Sequence, residues 1–141
     1  MDGYVNEHQR LPNHANFQRL FEFYTSGISD RLAVQRVKIT DYDGNEALPL
    51  LNWSDGPIEI VYVDCGRTFE ANQAWYNSLR QWFIPRQTLL VMEDWRLHRE
   101  LPPKWYNQTL QFTESKGGEL MLIHEVNDGG IATFLFVGDA E

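Results

Sequence analysis

The chain has 141 residues, 43% of them hydrophobic and 13% aromatic, which allows one domain with a substantial core and excludes disorder. A formal net charge of −8 argues against nucleic acid or an anionic membrane surface as the main partner. No apolar run approaches the roughly 20 residues of a membrane span, the polar N-terminus lacks a secretory pattern, and the single cysteine, Cys65, has no internal disulfide partner. A reduced, cytoplasmic setting is the expectation.

Residues 1–15 show no periodic pattern and are expected as a flexible segment ahead of a folded domain over 16–141. FQRLFEFYTSGISDRL repeats Phe17, Leu20, Phe21 and Tyr24 at helical spacing, with Gly27 as a C-terminal stop. AVQRVKIT (33–40) alternates as a strand, with Val34, Val37 and Ile39 as its buried members. DYDGNE has turn chemistry, EALPLL reads as a short helical turn, and NWSDGP as a loop. The stretch 57–95 is the organising unit. IEIVYV is a strand ending at Asp64. Residues 68–83 are helical, with Phe69, Ala71, Trp75, Leu79, Trp82 and Phe83 roughly on one face, and TLLVM is a strand ending at Glu93-Asp94. Strand, helix, strand is a βαβ unit, so the two strands are expected parallel with a right-handed crossover. RLHRELPPKW then loops over the carboxyl edge, and 104–116 reads as a helix closed by Gly117-Gly118. ELMLIHEV and IATFLFV form a hairpin through Asn127-Asp128-Gly129-Gly130, residues that tolerate positive φ.

In open α/β sheets ligands bind beyond the carboxyl ends of the strands. Asp64, Glu93 and Asp94 sit at two such ends, so acids from both strands are expected on one rim. An all-oxygen ligand set of this kind favours Mg²⁺ or Ca²⁺ over zinc. Each residue has a plainer reading beside that one. Asp64 is equally suited to cap the helix that follows, and Glu93-Asp94 to a solvated turn. Arg67 is placed either to pair with Asp64 or Glu70 or to meet a substrate. His98 is either a general base in the loop or a solvated surface histidine. Trp95 and Trp105 either wall a pocket or pack against the sheet. Cys65 follows an acid, which disfavours a thiolate.

VDCGRTFE, then IPRQTLLVMEDW, then the terminal NDGG hairpin together resemble the C-terminal part of class I S-adenosylmethionine-dependent methyltransferases, in particular the small-molecule O-methyltransferases. FEFYTSGISDRLAVQRVKI is similar to their helix-and-strand-three region and DYDGNEALPLL to the segment after it, so the resemblance spans about residues 16–137. It implies an α/β fold with a Rossmann-like sheet of order 3-2-1-4-5-7-6, mostly parallel with a C-terminal antiparallel hairpin. It also implies S-adenosylmethionine as cofactor and a small-molecule hydroxyl as substrate. The positions it assigns to the cofactor are Asp43, Gly44, Asp64 and Cys65. Asp64, Glu93 and Asp94 match metal positions suited to Mg²⁺, and Arg67 matches a substrate or proton-abstraction position, with His98 as a second catalytic candidate. The sequence departs from the family in Cys65-Gly66-Arg67, in Pro85-Arg86-Gln87 and in having no Gly-rich cofactor loop. The sheet is therefore expected truncated, without strands one and two. IEIVYV would then expose an edge, paired directly by AVQRVKIT, by another copy or partner chain, or by a missing part supplied in trans. Two other readings stand beside an enzyme of this family: a non-catalytic remnant or interaction domain, and a Mg²⁺-dependent phosphotransfer or hydrolase domain using the same acid rim.

Overall fold

The computed structural model describes residues 3–6, 9–11, 18–35, 51–64, 68–96, 108–126 and 130–138, with side chains from residue 21 onward. The chain divides into two compact units, Met1–Arg36 and Val37–Glu141.

In the first unit, β1 (Gly3–Asn6) pairs antiparallel with β2 (Gln9–Leu11), Gly3 lying opposite Leu11. Strands of three and four residues are too short for alternation to show in a sequence, which is why this ladder was not expected. The helix α1 spans Gln18–Tyr24. Its end comes three residues before Gly27: Thr25 still donates to the Phe21 carbonyl, from its backbone N–H at 2.9 Å and its hydroxyl at 2.8 Å, and the next bond, from the Ile28 N–H to the Thr25 carbonyl at 2.9 Å, is the tighter i→i−3 kind. A 3-10 turn over Ser26–Arg31 follows, broken at Ile28, and the chain leaves it extended at Leu32. Residues 32–35 carry no regular element, and the rest of the expected strand, 36–40, lies outside the described residues. None of the described side chains of this unit is buried, Phe23 and Tyr24 included.

The second unit contains the expected βαβ. β3 (Ile60–Val63) and β4 (Leu89–Glu93) are parallel, Ile60 opposite Leu89 and Val63 opposite Met92. Between them run α2 (Phe69–Leu79) and a 3-10 turn, Arg80–Trp82. Next come α3 (Thr109–Ser115) and the antiparallel pair β5 (Leu120–Val126) and β6 (Ile131–Phe136). The first four residues of the expected 104–116 helix, 104–107, and three residues of the hairpin turn, 127–129, lie outside the described residues.

The sheet order is β3-β4-β6-β5. It is an open mixed sheet. Three strands share a direction, yet only the β3–β4 pair is hydrogen-bonded in parallel, because β6 runs back between β4 and β5 and makes both of its pairings antiparallel. The expectation was a mostly parallel sheet ending in an antiparallel hairpin; the hairpin is present, and β6 lying between β4 and β5 leaves one parallel pair beside two antiparallel ones. Among the described residues β3 pairs with β4 alone, and most of the 33–40 stretch expected beside it lies outside them.

Alternation along β4 and β6 sorts the sheet into two faces. Val63, Leu90, Met92, Ala132, Phe134, Phe136 and Leu120 point to the face covered by α2 and α3, where they meet Trp75, Tyr76 and Phe112 in one core. Phe112 lies within 6.0 Å, ring centre to ring centre, of Phe69, Trp75 and Tyr76. The periodicity of 68–83 named Ala71, Trp75 and Phe83 among the buried residues but not Ala74, nor Asn72 and Tyr76, which are both fully buried. Asn72 is satisfied on both sides of its amide, donating to the Thr68 carbonyl and accepting from the Trp75 indole N–H, each at 2.9 Å. The residues pointing to the opposite face are less covered, and Ile60 and Tyr62 are more than half exposed.

Candidate functional site

The rim is built where β3 and β4 end. The register brings Val63 opposite Met92, so one further step sets Asp64 beside Glu93. Asp64 is exposed, whereas Glu93 and Asp94 are half-buried. The helix-capping reading of Asp64 does not hold. Thr68 caps α2 instead, its hydroxyl accepting from the Ala71 N–H at 3.1 Å. The Asp64 carboxylate is therefore not consumed by the helix that follows it.

Glu93 has a partner that sequence reasoning missed. Tyr62, on β3, donates its hydroxyl to Glu93 Oε1 across the sheet. The signal was available, since Tyr62 lies two residues before Asp64 and strand alternation puts both on one face. Asp94 adopts a left-handed backbone conformation, φ 53°, one that Asp tolerates better than most residues. Its N–H donates to the Gly130 carbonyl at 2.7 Å. That bond ties the end of β4 to the start of β6 and turns the chain away from the strand direction. Glu93 stays with Tyr62 on the open face, while Asp94 belongs to the turn.

Among the described residues no group of three or more histidine, cysteine, aspartate or glutamate side chains is arranged to hold a metal ion. Asp64, Glu93 and Asp94 are all described residues and do not form such a group. Asp43, Gly44, Cys65, Arg67 and His98 lie outside the described residues, as does Trp105. Trp95 serves packing. It is buried, donates from its indole N–H to Thr113 Oγ1 at 2.8 Å, and meets Phe134 edge-on. Arg96 lies over the Trp95 ring at 4.2 Å and reaches Glu125 Oε2 on β5 at 3.7 Å.

A second polar cluster lies at the opposite end of the sheet, on the covered side. Tyr76 donates its hydroxyl to Glu119 Oε2 at 3.0 Å, and Arg80 Nε pairs with the same oxygen. Burial, followed by the Glu119 charge and hydrogen bond, pushes the Tyr76 phenol well above its ordinary value. Burial works to raise Glu119 too, but the hydrogen bonds from Arg80 and Tyr76 outweigh it and hold the carboxyl below the usual range. The cluster joins the C-terminal end of α2 to the start of β5, which is a structural task.

No protein-family model matches the chain, and no curated protein matches it significantly. No helix among the described residues is long and apolar enough to cross a membrane.

Proposed function

We propose that the chain is a class I S-adenosylmethionine-dependent methyltransferase-like domain directed at a small-molecule hydroxyl. The observation that carries the reading is the strand order. β3-β4-β6-β5, with β6 alone reversed, is the order in which strands four, five, seven and six of such a sheet would stand. The two crossover helices on one face and the acids at the carboxyl ends of β3 and β4 support it as well. In this reading Asp64 and Glu93 accept hydrogen bonds from hydroxyl groups of the cofactor or substrate, and Tyr62 fixes the Glu93 carboxylate on the rim. The bound cofactor would supply the methyl electrophile, and the chain would supply position and orientation.

A second reading, a non-catalytic interaction domain, is favoured by the lack of any Gly-x-Gly loop in the sequence. Calorimetric titration of the full chain with S-adenosylmethionine and with its demethylated product separates the two. Saturable heat that is lost in Asp64→Asn supports the methyltransferase reading, and no heat at high protein concentration overturns it in favour of the second. Thermal stabilisation by Mg²⁺ without any cofactor effect would instead point to a phosphotransfer or hydrolase domain.

A further inference from the structure

Both outer strands of the β3-β4-β6-β5 sheet present a hydrogen-bonding edge with no partner strand among the described residues, and the two edges differ in chemistry. β3 has four residues and is flanked by Pro57, Glu59 and Asp64, a proline and two exposed acids of the kind that blunt an edge. β5 is the longest of the described strands, with seven residues reading Leu-Met-Leu-Ile-His-Glu-Val. It has no lysine, arginine or proline. Met121, Leu122 and Ile123 are exposed in succession, at 49%, 40% and 48%, so apolar surface is open on both sides of the strand. The register slips between Leu122 and His124, which makes Ile123 the extra residue of a bulge. Bulges often protect an edge, but here the added residue is one more exposed apolar side chain.

We infer that β5 is a self-association edge at which a second copy of this chain adds its own β5 in antiparallel orientation about a two-fold axis near Leu122. Electrostatics favours a second copy at this edge. Two chains of net charge −8 repel each other, and they approach best where the surface is locally neutral. Pairing about Leu122 brings the Glu119 end of one strand beside the Glu125 end of the other. Each of these carboxylates already carries an arginine from its own chain, Glu119 with Arg80 and Glu125 with Arg96. The approaching ends are charge-matched, and three apolar side chains from each copy lose water on both faces of the enlarged sheet. The same arrangement at β3 would bring the exposed acids Glu59 and Asp64 of two copies together. Two-fold pairing uses one edge of each copy and stops at two chains. The contact is a single strand wide, which belongs to the weak, concentration-dependent class of interfaces below about 1,200 Å².

Sedimentation of the full chain over a concentration series tests the inference. The expected result is a shift from one chain to two, with a Kd on the order of 0.1 mM. Ile123→Lys should abolish the dimer, whereas Ile60→Lys on the other edge should leave it intact. Amide hydrogen exchange on the unmodified protein provides the arm that needs no variant: protection over 120–126 should rise with concentration while β3 stays constant. A single chain at every concentration, polymers beyond two, a dimer that survives Ile123→Lys, or protection that rises at β3 would each overturn it. Cofactor binding enters none of these measurements, so their outcome is independent of the methyltransferase reading.

Discussion

The two faces of the sheet are built from similar residues and have different fates. On one, Leu90, Met92, Phe134 and Phe136 lie under α2 and α3 and are nearly or fully inaccessible. On the other, Ile60 and Tyr62 are largely exposed, and Leu89, Val91 and Leu135 are half-covered. The hydrophobicity of the strands does not explain the difference, since apolar residues occur at both alternating sets of positions. Connectivity explains it. The steps from β3 to β4 and from β4 to β5 go the same way along the sheet between strands of like direction, so right-handed crossovers put both helices on one side. A helix on the other side has to come from outside the run from β3 to β6. The candidate site lies at the end of that open side, where Tyr62 and Glu93 meet.

The largest effect should come from truncating the aromatic hub of the covered face. Phe112→Ala removes a fully buried ring that touches three other aromatic rings, and it should cost about 3–5 kcal/mol of unfolding free energy. Ile60→Ala, on the open face and 63% exposed, should stay within about 0.5 kcal/mol of the unmodified protein. Urea unfolding of both variants reads the contrast directly. A cost at Ile60 approaching that at Phe112 would break the comparison and mean that the open face is covered in solution.

A smaller effect is expected from the Tyr76–Arg80–Glu119 cluster, which anchors the covered face to β5. Glu119→Gln keeps the shape and loses the charge, and should cost about 1–2 kcal/mol near neutral pH, because charge-assisted bonds to Arg80 and Tyr76 weaken at a partly exposed site. The same cluster gives stability a pH dependence at both extremes. Glu119 is held below 4.5, so on acidification the unfolded chain takes up this proton first. The contribution of Glu119 is complete above that value and is lost as pH falls through the lower folded value. Tyr76 is raised above 10.0, so in alkali the unfolded chain releases the proton first, and stability falls as pH climbs past that point. Thermal midpoints across the pH range should show both slopes, and Glu119→Gln should flatten the acid one. An acid slope that persists in the variant would remove Glu119 from the account.

The βαβ unit and the hairpin were legible because each depends on a local pattern: apolar runs bounded by breakers, a helical repeat between them, and an Asn-Asp-Gly-Gly turn. Asp64, Glu93 and Asp94 were legible as strand-end acids for the same reason. The order of the last two strands was read through the family resemblance alone, because pairing β6 between β4 and β5 is a tertiary choice that no local pattern encodes. Asn72 and Tyr76 were missed since polar residues are expected at a helix surface, yet each is buried with its hydrogen bonds satisfied by distant or i+3 and i−4 partners. The β1–β2 ladder was missed because it is too short to alternate. The individual roles within the rim also escaped the sequence. Strand alternation cannot tell that Glu93 stays with the strand while Asp94 turns left-handed to bond Gly130.

The smallest effect is the sharpest test of the rim. Asp64 was eligible to cap α2, but the structure gives that bond to Thr68. Thr68→Ala should therefore cost about 1 kcal/mol, the usual penalty for a lost N-cap. Asp64→Asn should change stability by no more than about 0.5 kcal/mol, as expected of an exposed polar replacement. The pair distinguishes a residue retained for the fold from one retained for a ligand. If Asp64→Asn is as destabilising as Thr68→Ala, the carboxylate is serving the helix after all, and the rim loses its exposed acid as a ligand group. If it is neutral for folding and still abolishes cofactor heat, stability and binding are separated at a single side chain, and the open edge of the βαβ unit is where the chemistry belongs.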